Sequence, residues 1–225
     1  MNFLQLVQRL KRRCGVSGTM PTTVLNQPEE LARLVDFINE AWMDIQGRRK
    51  DWLWMRAPFS FATAQGKSQY SVADVGLTDF GYYALDSFRN FVTSAGNSSE
   101  VFMDYLPYES WRDTYLYGAT RYTSTRPLEF TVAPDLSIGL GPVPAQGYTV
   151  SGEYYRVPTE LVNDSDLPAM PSQFHMAIVY RAMMFYGAFE AAQEVYQLGA
   201  AEFGKQMNRL AVAQLSDMQL AGALA

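Results

Sequence analysis

The chain has one cysteine and one histidine among its 225 residues. The lone Cys14 has no partner for an internal disulfide, which excludes a disulfide-stapled scaffold. A single histidine, His175, excludes the common His-containing zinc sets, and a hydrolytic triad would need a partnered nucleophile at a recognisable elbow. His175 therefore reads as a surface or interface residue. Long hydrophobic runs are missing as well: the most apolar stretch, "MAIVYRAMMFYGAF", is interrupted by Arg181 and is shorter than the roughly 20 residues that span a bilayer. No membrane partner is expected. Positive charge is in deficit, with 18 Lys and Arg against 23 Asp and Glu, a net charge of -5. That argues against a domain whose main surface tracks nucleic acid. Near the start, Arg9, Lys11, Arg12 and Arg13 follow the short apolar segment instead of preceding it, so no signal peptide is expected and the chain is expected in the cytoplasm when made. There is no internal repeat and no low-complexity tract.

What is present is core-forming material, 48% hydrophobic and 14% aromatic residues, ample for a folded protein of this length. Three zones follow one another. In the first, residues 1 to 56, Phe3, Leu6, Val7, Leu10 and Cys14 recur at helical spacing between a capping Asn2 and a terminating Gly15. Pro28, Glu29 and Glu30 open a second helix, whose stripe runs through Leu31, Leu34, Val35, Ile38, Ala41, Trp42 and Ile45 to Gly47. From 57 to 158 the period changes to that of strands: "FSFAT", "SQYSV", "SFRNFVTS" and "EVFMDYL" are β-branched and aromatic runs separated by turn residues. Leu128, Phe130 and Val132 are expected to face Leu136, Ile138 and Leu140 across the "APD" turn, with Tyr148, Val150 and Tyr154 on a third strand. In 159 to 215 Pro168 and Pro171 introduce two helices, broken near Gly187 or Gly199. Residues 216 to 225 are a weakly apolar segment suited to docking. The expected fold is α+β, a helical bundle made by the N- and C-terminal helices with a small antiparallel β region inserted between them.

The motifs that could carry chemistry are weak. "GLGPVP" contains a G-x-G, but a phosphate loop must open a helix and Pro142 and Pro144 break the pattern, leaving a β-turn. "NDSD" (Asn163 to Asp166) lacks the Gly and distal Glu of a calcium loop and reads as a solvated loop. No catalytic, cofactor or metal residue is assigned, and an enzyme is not expected. Two basic clusters remain, "RLKRR" (Arg9 to Arg13) and Arg48, Arg49 and Lys50, each at the carboxyl end of a predicted helix. They complement the negative helix end, or they contact phosphates or an acidic partner. "DWLWM" (Asp51 to Met55) follows the second cluster; its two Trp pin the helices onto the sheet, or stack on single-stranded bases.

The first helix with "LVQRLKRRCGVSG", the second with "LARLVDFINEAWMDIQ" leading into "DWLWM", the strands ending in "YTVSGEYYRVPTEL", and "LPAMPSQFHMAIVYRAM" opening the helical return span nearly the whole chain. This layout resembles the head-to-tail adaptor (connector) proteins of tailed bacteriophages, including the podovirus tail-tubular A class, although residues 70 to 125 carry little of it. The resemblance implies a structural virion protein that forms a ring, usually of twelve copies, between the portal protein and the tail nozzle or tail-tube protein. Packaged DNA would pass through the lumen without sequence-specific contact. The protein would sit at the head-tail junction of the virion and in the host cytoplasm during assembly, associating weakly alone and closing rings on the portal. It further implies a C-terminal segment reaching the portal, through Leu215, Met218, Leu220 and Leu224, and a β region facing the next tail component, through Tyr148, Tyr154 and Tyr155. Arg48, Arg49 and Lys50 would meet the channel or a neighbouring subunit. An assembly or chaperone-like binding protein not retained as a ring is the alternative.

Overall fold

The structure is a computed structural model and describes residues 1 to 214. It is a mixed helix and sheet protein. The helices are α1 (Phe3–Cys14), α2 (Glu29–Gly47), the short α3 (Val72–Val75) and α4 (Tyr108–Arg112), α5 (Met176–Phe189) and α6 (Gln193–Gln214). The strands are β1 (Arg56–Ala62), β2 (Gln69–Tyr70), β3 (Phe80–Val92), β4 (Val101–Phe102), β5 (Asp104–Tyr105), β6 (Ser124–Thr125), β7 (Glu129–Val132), β8 (Ile138–Gly141), β9 (Val143–Pro144) and β10 (Tyr148–Arg156). They form two compact units, a helical unit built from Met1–Met55 with the chain from Pro158 onward, and a β unit, Arg56–Val157.

In the helical unit the ends of α1 follow from its sequence. Asn2 and Gln5 exchange side-chain and backbone hydrogen bonds in a capping box, and Gly15 ends the helix at φ 68°. Helix α5 packs against α1, α2 and α6. That explains why it is apolar around most of its circumference: Ala177, Ile178, Val179, Ala182 and Met183 are all completely covered. Its one charge, Arg181, is held by Asp44 of α2 at 2.9 Å and lies over the rings of Phe185 and Phe203. The break between α5 and α6 falls at residues 190 to 192, where Ala191 takes φ 53°. Gly199 does not break a helix. A Cβ there would lie 2.9 Å from the carbonyl oxygen of Tyr180, so this glycine lets α6 approach α5 closely.

In this unit the structure adds local detail at two of the expected features and corrects a third, the surface reading of His175. Trp54 stacks between Trp42 and Trp52, and Trp52 donates its indole N–H to the carbonyl of Ile45 at 3.0 Å. They therefore fasten the chain back onto α2. The "NDSD" loop is a turn with Asn163 and Ser165 exposed, and its carboxylates are held locally: Asp164 accepts from the backbone N–H of Val24 at 2.5 Å, and Asp166 accepts from the N–H groups of Val162 and Asn163, which hold its carboxyl below the usual range. His175 is 3% exposed, with Nδ1 2.7 Å from the amino group of Met1 and Nε2 3.0 Å from the carbonyl of Met170.

The β unit is built from two four-stranded sheets, ordered β1-β10-β3-β4 and β2-β8-β7-β5, with β6 and β9 as a separate pair. The sheets share one apolar core. Phe88 of the first stacks on Phe130 of the second at 3.8 Å, and Phe61 meets Tyr70 at 4.9 Å. The "APD" turn joins β7 to β8 in the expected register, with Phe130 opposite Leu140 and Val132 opposite Ile138. Leu136 instead sits exposed in the turn at φ 67°, and Leu128 is also exposed. "GLGPVP" runs from the end of β8 through a bend at Pro142 into β9, with no helix opening there. The third strand belongs to the facing sheet: β10 pairs with β1 and β3, its Val150 and Tyr154 enter the same core from the opposite side, and its Tyr148 is buried as well. Alternation specifies which face of a strand is buried, not which sheet the strand joins. Nor is the region wholly antiparallel. β5 runs parallel to β7 and β6 to β9, and the β5 to β7 connection contains α4, the crossover that parallel neighbours require.

Burial of His175, and the positive amino group beside it, hold its pKa below the ordinary histidine value of 6.5. The folded protein therefore resists a proton that the unfolded chain accepts. The stability this histidine contributes is present above pH 6.5 and is lost as pH falls below it. Denaturant titrations between pH 7 and 5 should show stability falling by up to about 1.4 kcal/mol per pH unit. In His175→Gln this slope should flatten, even though the variant is less stable throughout.

Candidate docking surfaces

The three tyrosines expected on the outside do not share a surface. Tyr148 is 3% and Tyr154 6% exposed. Tyr154 sends its hydroxyl to Asp79 at 2.6 Å. Both are core residues, because their positions on β10 alternate inward with Val150. Tyr155, one position on, points the other way; it is half-buried, stacks on its register partner Tyr82 at 4.8 Å, and lies beneath the guanidinium of Arg56. Only Tyr155 of the three offers ring surface to a partner.

The β unit does carry an apolar opening elsewhere. A groove of about 230 Å³ is walled by Phe80, Tyr83, Leu85, Tyr105, Val132 and Leu136. It forms where the first half of β3 passes the β5 edge and the β7–β8 turn, and the turn holds Leu136 outward because Asp135 accepts from both the N–H and hydroxyl of Ser137. The sequence carried a signal for it in "DFGYYALDSF", an aromatic run that belongs to β3; that strand starts at Phe80, seven residues before "SFRNFVTS". A second, polar cleft of about 370 Å³ contains Arg56, Asp86, Arg89, Glu100 and Glu153, whose opposite charges pair: Arg56 with Glu153 and Arg89 with Glu100.

The basic clusters divide. Lys11 is 3% exposed and donates its ammonium to the carbonyl of Ser17, whereas Arg9, Arg12 and Arg13 are exposed on α1. Arg48 caps α2, pairs with Asp44 at 2.8 Å and lies over Phe203 at 4.9 Å. Arg49 and Lys50 are exposed and make no ion pair among the described residues. Leu215, Met218, Leu220 and Leu224 lie outside the described residues. No cluster of His, Cys, Asp and Glu that could hold a metal ion occurs among the described residues, and no helix there is long and apolar enough to cross a membrane.

A comparison with protein families matches the SU10 adaptor protein over residues 1 to 223. The chain belongs to that family. The match runs through both units of this phage adaptor, including residues 70 to 125, and it agrees with the adaptor resemblance of the sequence while leaving the tail-tubular likeness to be tested. No curated protein matches the adaptor chain.

The split of the basic cluster has a measurable consequence. Arg48→Gln should lower stability in thermal or urea unfolding by a few tenths to about 1 kcal/mol, since its ion pair is partly exposed and its ring contact adds a similar amount. Arg49→Gln and Lys50→Gln should each stay within about 0.5 kcal/mol of the parent protein.

Proposed function

We propose that this adaptor is a structural, non-catalytic ring component that joins the portal to the tail at the head-tail junction of the virion. The observation that carries the reading is the family match along the chain, helical and β units together. In this reading the N- and C-terminal helices form the body of a ring, with twelve copies as in the tail-tubular A class. The β unit faces the next tail component, a nozzle or tube protein. The C-terminal segment, with Leu215, Met218, Leu220 and Leu224, reaches the portal. Packaged DNA crosses the lumen, and assembly takes place in the host cytoplasm.

The division of the basic cluster supports a role outside the fold for Arg49 and Lys50. Arg48 already has two intramolecular partners, while the exposed pair is held by none among the described residues. A cation repeated around a ring meets phosphate or a neighbouring acidic surface many times over, so weak contacts add. A strong individual bond is not needed.

Negative-stain electron microscopy of the purified protein with and without portal rings tests the reading. Rings stacked on the portal are expected when the two are mixed, with few closed rings in the protein alone. Portal images unchanged by the added protein would overturn it.

A further inference from the structure

Aspartates adjoin four wall residues of the β unit's apolar groove in the chain. Each charged residue that adjoins a wall residue in the chain is an aspartate: Asp79 beside Phe80, Asp86 beside Leu85, Asp104 beside Tyr105 and Asp135 beside Leu136. Asp79 and Asp135 lie outside the strands, whereas Asp86 of β3 lines the polar cleft. Arg156 pairs with Asp79 at 3.1 Å and Arg56 lies 3.7 Å from Asp86. Asp104 and Asp135 have no cation partner among the described residues. The walls themselves are open, with Leu85, Tyr105 and Leu136 39%, 41% and 45% exposed. The groove thus fits an apolar side chain that arrives with positive charge beside it.

The helical unit presents such a segment. Leu53 is 39% exposed, and the exposed Arg49 and Lys50 precede it; with Asp51 the run 49 to 53 keeps one net positive charge. Most other exposed apolar residues of that unit lack an unpaired cation beside them: Met20 and Leu25 have no charged residue within three positions, and Tyr196 lies two from Glu194. Val162 and Leu167 lie beside Asp164 and Asp166, Leu198 lies between Glu194 and Glu202, and Phe189 is covered by Arg33, itself paired with Glu190. Val212, near Arg209, brings a smaller side chain and a single cation. The C-terminal run 215 to 225 has Asp217 as its one charged side chain, the sign that these aspartates repel.

We propose that the occupant is a second copy of this chain, with Leu53, flanked by Arg49 and Lys50, seated in the groove between Phe80 and Leu136 of its neighbour. The contact joins two unlike surfaces: reciprocated between two copies it would close a dimer, and repeated head-to-tail it propagates around a ring, the form that the ring reading selects. It rests on the ring reading above and names the contact that propagates it.

Disulfide trapping tests it directly. Two chains are made in a Cys14→Ala background, one with Leu53→Cys and one with Leu136→Cys; they are mixed under mild oxidation and the links are mapped by mass spectrometry. Leu167→Cys and Met218→Cys replace Leu53→Cys in control mixtures. Melting curves that match the parent verify that each chain is folded. A 53 to 136 link about tenfold above the 167 to 136 control is expected, from the raised local concentration of a specific contact. Equal yields overturn the inference, and so does a dominant 218 to 136 link, which would make the C-terminal run the occupant. Adding Arg49→Glu and Lys50→Glu to the Leu53→Cys chain should reduce the link severalfold, and an unchanged yield would remove the electrostatic part. Failure of the ring reading is separable: a strong link without rings on the portal leaves the contact standing and refutes the reading, and portal rings without the link do the reverse.

Discussion

Two side-chain amides on α2 hold the returning chain in place. Gln46 donates to the carbonyl of Thr159 at 3.0 Å and accepts from its N–H at 3.1 Å, while Asn39 makes the same pair of bonds with Leu161, both at 3.0 Å. Asn39 and Gln46 are seven residues apart, two turns, so they share one helix face. Thr159 and Leu161 are two apart in an extended segment, so their backbone groups point the same way. Each amide has one carbonyl and one NH₂ to offer and acts as a substitute strand partner. The pairing is consequential because Gln46 and Leu161 are buried, and an unmatched buried polar group costs about 1–3 kcal/mol. Through this clamp the chain after Pro158 is set against α2, and α5 then packs on α1 and α2.

The β unit obeys a matching constraint. The strands on which the chain enters and leaves it, β1 and β10, are antiparallel neighbours in register from Arg56 opposite Tyr155 to Ala62 opposite Thr149. An insertion built this way completes its own core, in which Phe59, Phe61, Phe88, Phe130, Val150 and Tyr154 meet. Pro58 is tolerated because β1 is an edge strand, where a missing N–H costs no ladder bond. With its interior filled, the unit turns outward what it cannot bury, and the groove next to Leu136 is the part of that remainder with a defined shape.

Much of this was legible from sequence because it depends on local chemistry. Asn2 and Gly15 mark the ends of α1, and Glu29 and Gly47 those of α2, because capping and dipole effects act within a turn. The "APD" hairpin register was legible for the same reason. Alternation puts Tyr148 and Tyr154 on the apolar side of their strand, where the structure buries both; the outward docking role came from the resemblance and not from the pattern. What escaped was decided by distant partners. His175 looked exposed, but Met170 and Met1 enclose it from elsewhere in the chain. Asp164 looked solvated until residues 23 and 24 supplied its donors. The groove has one local sign in the sequence, the aromatic content of "GYYAL" at the start of β3, and its other walls come from β5 and the β7–β8 turn far along the chain. As for function, a chain without a catalytic motif gives few residues to check, and the adaptor assignment rests on the layout of both units and on the family match.

The central physical claim is that the amide clamp completes the helical unit, while the β unit is stabilised by its own core. Native-state amide hydrogen exchange of the Asn39→Ala, Gln46→Ala double variant tests it most directly. The account predicts that amides of α2 and α5 lose about 2–4 kcal/mol of protection, the cost of leaving two backbone pairs unmatched, with those of β1, β3 and β10 close to the parent values. An equal loss in both units, or unchanged protection in α2 and α5, would contradict it.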